Sequence, residues 1–233
     1  MSKKKKQGTV EPVEGVENLL TRTERYIEEN QKSLTIIVVA IVVVVLGYLG
    51  YRNLYIAPME EEARSQTFMA ERYFERDSFY LALYGDGNFL GFLDIIDEYS
   101  PTKTANLANY YAGISFLRMG EFESAIEYLK KFDSRDQLVS PMAFGAIGDA
   151  YAELGDLETA ATFYTRAAMR KSNEFTSPIF WMKAGQVYEE LEKYGKALEA
   201  YENILDDYPE TTEGREVEKY IARVQLKKEM QNR

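Results

Sequence analysis

Of the 233 residues in this chain none is histidine and none is cysteine. The usual general base at neutral pH, the thiolate nucleophile, the disulfide and the zinc–thiolate site are thereby removed together. Acid–base work would fall to the 38 Asp and Glu residues, yet they form no recognisable catalytic pair. One stretch, LYGDGNFLGFLDIIDEY, invites a test as a cation site, because Asp86, Asn88, Gly91, Asp94 and Asp97 approach the order of a helix-loop-helix calcium loop. Leu90 stands where an oxygen ligand is needed and Asp97 where the longer Glu is usual, so a plain inter-helix turn is the better reading. Gly85, Gly87 and Gly91 follow no strand and are spaced GxGxxxG, which is not a dinucleotide-binding loop. No catalytic residue, no metal ligand, no cofactor and no small-molecule substrate is expected: the chain reads as a binding protein and not an enzyme.

What the sequence does space regularly is glycine, alanine and aromatic residues. NLANYYAGISFLRMGEFESAIEYLKKF, PMAFGAIGDAYAELGDLETAATFYTRA and PIFWMKAGQVYEELEKYGKALEAYENI align on Gly113, Gly148 and Gly185. In the same alignment Phe116 matches Tyr151 and Tyr188, Ala125 matches Ala160 and Ala197, and Leu129 matches Tyr164 and Tyr201. The glycines stand 35 and 37 residues apart, a repeat of about 34 residues with small insertions. Small residues let two helices of a hairpin approach, aromatics fill the space beside them, and Met119-Gly120, Leu154-Gly155 and the segment around Glu192 turn the chain. At helical spacing the tyrosines are expected in the core rather than in a ligand cage. The fold class is therefore all-α, an α-solenoid of helical hairpins.

Trp181, Gly185, Tyr188, Ala197, Tyr201 and Pro209 together resemble the tetratricopeptide (TPR) consensus, as segment two also does; Asn109 replaces the first large residue in segment one. The resemblance implies three repeats over 101–210, a degenerate leading hairpin within a connecting region 52–100, and a capping helix 211–233. It also implies that the first helix of each hairpin lines a groove for polypeptides. By repeat phase that lining is Leu107, Tyr110, Ile114 and Arg118, then Met142, Asp149 and Glu153, then Ile179, Met182, Gln186, Glu189 and Glu190. It is apolar at one edge and acidic at the other, which suits extended or helical segments with apolar and basic side chains.

The other end of the chain has a different character. Residues 34–51, LTIIVVAIVVVVLGYLGY, carry no charge, and as a helix would measure about 27 Å, close to the ~30 Å hydrocarbon core of a bilayer. A retained transmembrane anchor is expected, with Tyr48, Tyr51, Tyr55 and Arg52 as an interfacial belt. Residues 1–15 read as a disordered Lys-rich tail and 16–33 as an amphipathic juxtamembrane helix. Beyond the span, Pro58 with Glu60, Glu61 and Glu62 marks the start of a helix running to about Arg76. Residues 1–33 hold seven basic and six acidic side chains against a whole-chain charge of -10, so the remainder is acidic and repels nucleic acid. Lys3 to Lys6, with Arg22, Arg25 and Lys32 against Arg52 and Arg64, place the N-terminus in the cytoplasm and the repeat domain across the membrane.

TRTERYIEENQKSL, the apolar span and GYLGYRNLY together resemble the YfgM-like family, ancillary subunits of the bacterial SecYEG translocon with a periplasmic TPR domain. That resemblance implies a single-pass protein of the bacterial inner membrane. Its partners would be translocon subunits and translocating or unfolded chains. An organelle import receptor or assembly scaffold with its repeat domain in the cytosol shares the same layout and differs in topology.

Overall fold

The computed structural model describes residues 30–233, which hold eleven α-helices and no strand. The chain divides into two units, Met1–Ala57 and Pro58–Arg233. The tail, most of the expected amphipathic helix, and the basic residues Lys3 to Lys6, Arg22 and Arg25 lie outside the described residues.

In the first unit, α1 (Gln31–Tyr51) contains the whole uncharged run and begins three residues before it. None of its residues is buried. Valine and isoleucine on every side of a helix leave no polar face for water, so packing within this unit does not explain the composition. By length and composition α1 qualifies to cross a membrane, the one described helix that does. It passes into a π-helical segment, Arg52–Ile56, where the rings of Tyr51 and Tyr55 stack 5.5 Å apart.

The second unit opens with α2 (Ala57–Glu75), α3 (Phe79–Tyr84) and α4 (Phe92–Glu98). Three hairpins follow, α5 (Lys103–Met119) with α6 (Phe122–Lys131), α7 (Val139–Glu153) with α8 (Leu157–Met169), and α9 (Ser177–Glu190) with α10 (Tyr194–Asp207). The last helix, α11 (Thr212–Gln231), packs on α10 and touches α9. Each second helix packs between the first helix of its own hairpin and the next one along, the nearest-neighbour stacking of a solenoid.

The helix boundaries have local causes. Thr102, Asp156 and Thr211 accept the backbone N–H three residues on, at 3.0 to 3.1 Å, and start α5, α8 and α11. Pro141 and Pro178 stand in the first turns of α7 and α9, where a missing N–H costs nothing. Each first helix ends in the same hydrogen-bonded motif: the N–H groups of Glu121, Asp156 and Lys193 donate to the carbonyls of Phe116, Tyr151 and Tyr188. Gly120 and Gly155 supply the left-handed residue at φ of 80° and 79°, whereas the third hairpin uses Glu192 at 57°.

The hairpins close at glycine notches. A Cβ on Gly113 would meet Leu129, one on Gly148 the ring of Tyr164, and one on Gly185 the ring of Tyr201. The residues paired by the repeat alignment are thus pressed together, with backbone and ring closer than any side chain would allow. The core runs through all three hairpins. Tyr151 bridges the first and second clusters, and Trp181 and Tyr188 bridge the second and third.

The glycine-rich loop between α3 and α4 spends its acids on its own backbone. Asp86 accepts the N–H groups of Asn88 and Phe89, each at 2.9 Å, and the Tyr73 hydroxyl at 2.7 Å. Those bonds hold its carboxyl below the usual range. Asp94 accepts the Gly91 N–H at 3.1 Å as part of the α4 cap.

Candidate partner-binding groove

In a solenoid the first helices of successive hairpins are neighbours, and here α2, α5, α7, α9 and α11 touch in that order. This row is tied together across hairpins by three acids. At its start, the Glu60 carboxylate on α2 accepts the Lys103 N–H at 2.7 Å and the Thr104 hydroxyl at 3.0 Å, capping the N-terminus of α5. Arg64 pairs with the same carboxylate at 3.1 Å. Burial pushes Glu60 up, and these bonds outweigh it and bring the carboxyl below its ordinary value.

In the middle, Asp149 on α7 accepts the hydroxyl of Tyr164 at 2.7 Å and the ammonium of Lys183, on α9, at 2.6 Å. At the end, Glu189 on α9 takes Arg223 and Lys227 from α11, both at 2.7 Å, with the Tyr201 hydroxyl at 3.4 Å. Burial raises the Glu189 carboxyl, but the two cations prevail and hold it below its ordinary value. The hydroxyls of Tyr164 and Tyr201 are driven upward, by burial first and by their acid partners second. Both tyrosines therefore stay neutral donors.

These pairings change the meaning of two residues read from repeat phase as free lining. Glu189 is only 8% exposed and serves as the anchor of the closing helix. Asp149 is half-buried and serves as the tie between α7 and α9. Repeat phase located both on the correct helix, but a one-dimensional alignment does not show a cation arriving from the next repeat.

The remaining expected positions divide by exposure. Arg118, Met142, Glu153, Ile179, Gln186 and Glu190 are exposed, Met142 at 47% and Ile179 at 41%. Leu107, Ile114 and Met182 are half-buried, and Met182 packs on the third core cluster. Tyr110 turns inward, its ring 5.3 Å from Phe132 in the loop after α6, and burial raises its hydroxyl pKa. Asn109, which replaces the first large repeat residue, is buried and donates to the Ala105 carbonyl at 2.9 Å; its side-chain oxygen has no partner among the described residues.

The residues that sequence reading missed are Lys183, Arg223, Lys227 and Glu71. Arg223 and Lys227 stand four apart, the spacing that puts two cations on one helix face, and that was the available signal. Glu71 lines a cleft between α2 and α5 together with Glu60, Arg64, Lys103, Leu107 and Tyr111.

Comparison with known proteins points the same way. Tetratricopeptide-repeat family models match residues 110–174 and 181–211. Over 58 residues the chain is 43% identical to the Arabidopsis thaliana protein FLUORESCENT IN BLUE LIGHT, chloroplastic, covering 22% of this chain and 18% of that one. A TPR repeat-containing protein of Methanocaldococcus jannaschii is 26% identical over 129 residues, covering 55% of this chain and 22% of its own length. The chain thus spans about a fifth of either relative. Among solved structures, nearly identical kinesin-light-chain TPR-like repeats of Podosopora anserina superpose with a TM-score of 0.54 at 12% identity, covering 74% of this chain and 90% of theirs. That likeness is one of fold. Glycine notches, shared turn motifs and both family matches agree: residues 110–174 and 181–211 carry tetratricopeptide repeats, stacked as an α-solenoid.

Proposed function

We propose that the chain is a single-pass membrane protein of the bacterial inner membrane whose repeat domain lies in the periplasm. There it receives polypeptides beside the Sec translocon as a chaperone-like accessory. The observation that carries the reading is the pairing in one chain of a TPR domain with α1, an apolar helix that buries none of its residues. A helix so composed is stable in a bilayer and costly in water. The repeat domain then acts by binding. Its exposed strip mixes Met142 and Ile179 with Arg118, Glu153, Gln186 and Glu190, a surface suited to segments of mixed apolar and polar character.

Resemblance of the membrane-entry region to YfgM-like subunits supplies the translocon as partner, and the basic residues on the near side of the span supply the orientation. In living cells, photo-crosslinkers at Met142, Ile179 and Gln186 should capture translocon subunits and newly exported chains, whereas Tyr110, which faces inward, should capture little. Capture of neither class would reject the reading. Digestion of the repeat domain by protease added from the cytoplasmic side would instead select an import-receptor topology.

A further inference from the structure

Along α2 the residues Glu60, Arg64, Thr67 and Glu71 face α5 at intervals of one helical turn and enclose, with it, a cleft of about 290 Å³. Both helices belong to the repeat unit. Such a volume is at the small end of ligand pockets and suits one long side chain rather than a whole small molecule.

The two ends of the cleft differ. At the α2 start, Glu60 is consumed by the α5 N-terminus and by Arg64. At the other end the Glu71 carboxylate is half-buried, and no hydrogen bond or ion pair engages it among the described residues. Thr67, one turn before, directs its hydroxyl to the Ala63 carbonyl. The wall opposite carries Lys103 and Thr104 at the Glu60 end, and continues along α5 with the apolar Leu107, Ala108 and the Tyr111 ring toward Glu71. Burial and, after it, the charge of Glu75 both push the Glu71 carboxyl up. The charge of an arriving cation would offset both. Glu60 on the same helix, and Asp149 and Glu189 on later first helices, each hold a cation of this chain. Glu71 holds none among the described residues.

We propose that this cleft is a specificity subsite of the groove that takes a lysine or arginine side chain of the bound polypeptide. Glu71 receives the charged head, while Leu107, Ala108 and the face of Tyr111 cover the alkyl stem. The occupant is a polypeptide segment with a basic residue flanked by apolar ones. The inference rests on the polypeptide-binding reading above and adds a selectivity that reading does not require.

The test uses the full chain in lipid nanodiscs and fluorescein-labelled decapeptides of Ala, Leu and Ser with a single central Lys, norleucine or Glu, followed by anisotropy. The Lys peptide should bind about fivefold or more tighter than the norleucine peptide, the size of one partly desolvated ion pair. Glu71→Gln should bring the Lys peptide to the norleucine level, and Glu71→Lys should shift preference to the Glu peptide, with unchanged circular dichroism. Equal binding of Lys and norleucine peptides to the unmodified chain overturns the inference without needing any variant, as does a preference that survives Glu71→Gln. If the two peptides bind equally while crosslinks at Met142 and Ile179 persist, the polypeptide-binding function stands and only the subsite falls. If neither peptide binds and no crosslink forms, both fall.

Discussion

The first hairpin and the two that follow it close on the same backbone geometry with different chemistry. In the first, Gly113 is filled by Leu129, an apolar side chain that asks nothing of its surroundings. In the second and third, Gly148 and Gly185 are filled by Tyr164 and Tyr201, whose hydroxyls reach an acid on the first helix. That acid in turn holds Lys183, or Arg223 with Lys227, from the next element along. A buried hydroxyl needs a partner, so a tyrosine in the notch calls for an acceptor; an acceptor at that position can then bind a cation of the following repeat. The leucine notch closes a hairpin. The tyrosine notches also tie one hairpin to the next.

The largest effect should come from filling a notch. Gly185→Val, driven against the rigid Tyr201 ring, should cost about 3 kcal/mol in chemical denaturation, and a loss under ~1 kcal/mol would show that the close approach is not needed.

Next is Glu189→Gln, which leaves Arg223 and Lys227 facing an uncharged group and should cost about 1–2 kcal/mol. Its pH dependence has a definite sign. Since the folded carboxyl lies below its ordinary value of 4.5, its stabilisation is complete above that value and is lost as the pH falls through the lowered one. The unmodified chain should therefore lose stability on acidification below 4.5 more steeply than the variant, as followed by thermal melts across pH.

Tyr164→Phe should cost about 1 kcal/mol, and the reverse exchange in the first hairpin, Leu129→Tyr, should also destabilise, since Ile114 stands where the second hairpin has Asp149. A stabilising Leu129→Tyr would break the distinction between the two kinds of notch. Smallest is Glu192→Gly, which relieves a left-handed residue that the other hairpins assign to glycine. It should gain at most about 1 kcal/mol, readable as a small rise in Tm.

Much of the fold was legible because it depends on local spacing. Gly113, Gly148 and Gly185 with their partners sixteen residues on announced the hairpins. Gly120 and Gly155 announced the turns, and Pro141 and Pro178 stood where helices begin. The candidate site was legible only as far as helix phase reaches. Met142, Ile179, Gln186 and Glu190 are exposed, but Tyr110 is half-buried, its ring against Phe132, twenty-two residues later. Glu60, read as a charge at the start of its own helix, caps another helix forty-three residues away.

Sequence by itself determined the uncharged run of α1, the repeat period and the absence of histidine and cysteine chemistry, because each is a property of residue type and spacing along one chain. Tertiary structure alone decided which carboxylates are spent and which are open. Glu60, Asp149 and Glu189 meet cations or helix ends, while Glu71, on the same kind of helix face, forms no ion pair among the described residues and stands beside Leu107, Tyr111 and the charge of Glu75. The physical reason is that an ion pair or a cap forms over about 3 Å of space, and the residues that come within that distance are set by how the hairpins stack, not by their order in the chain.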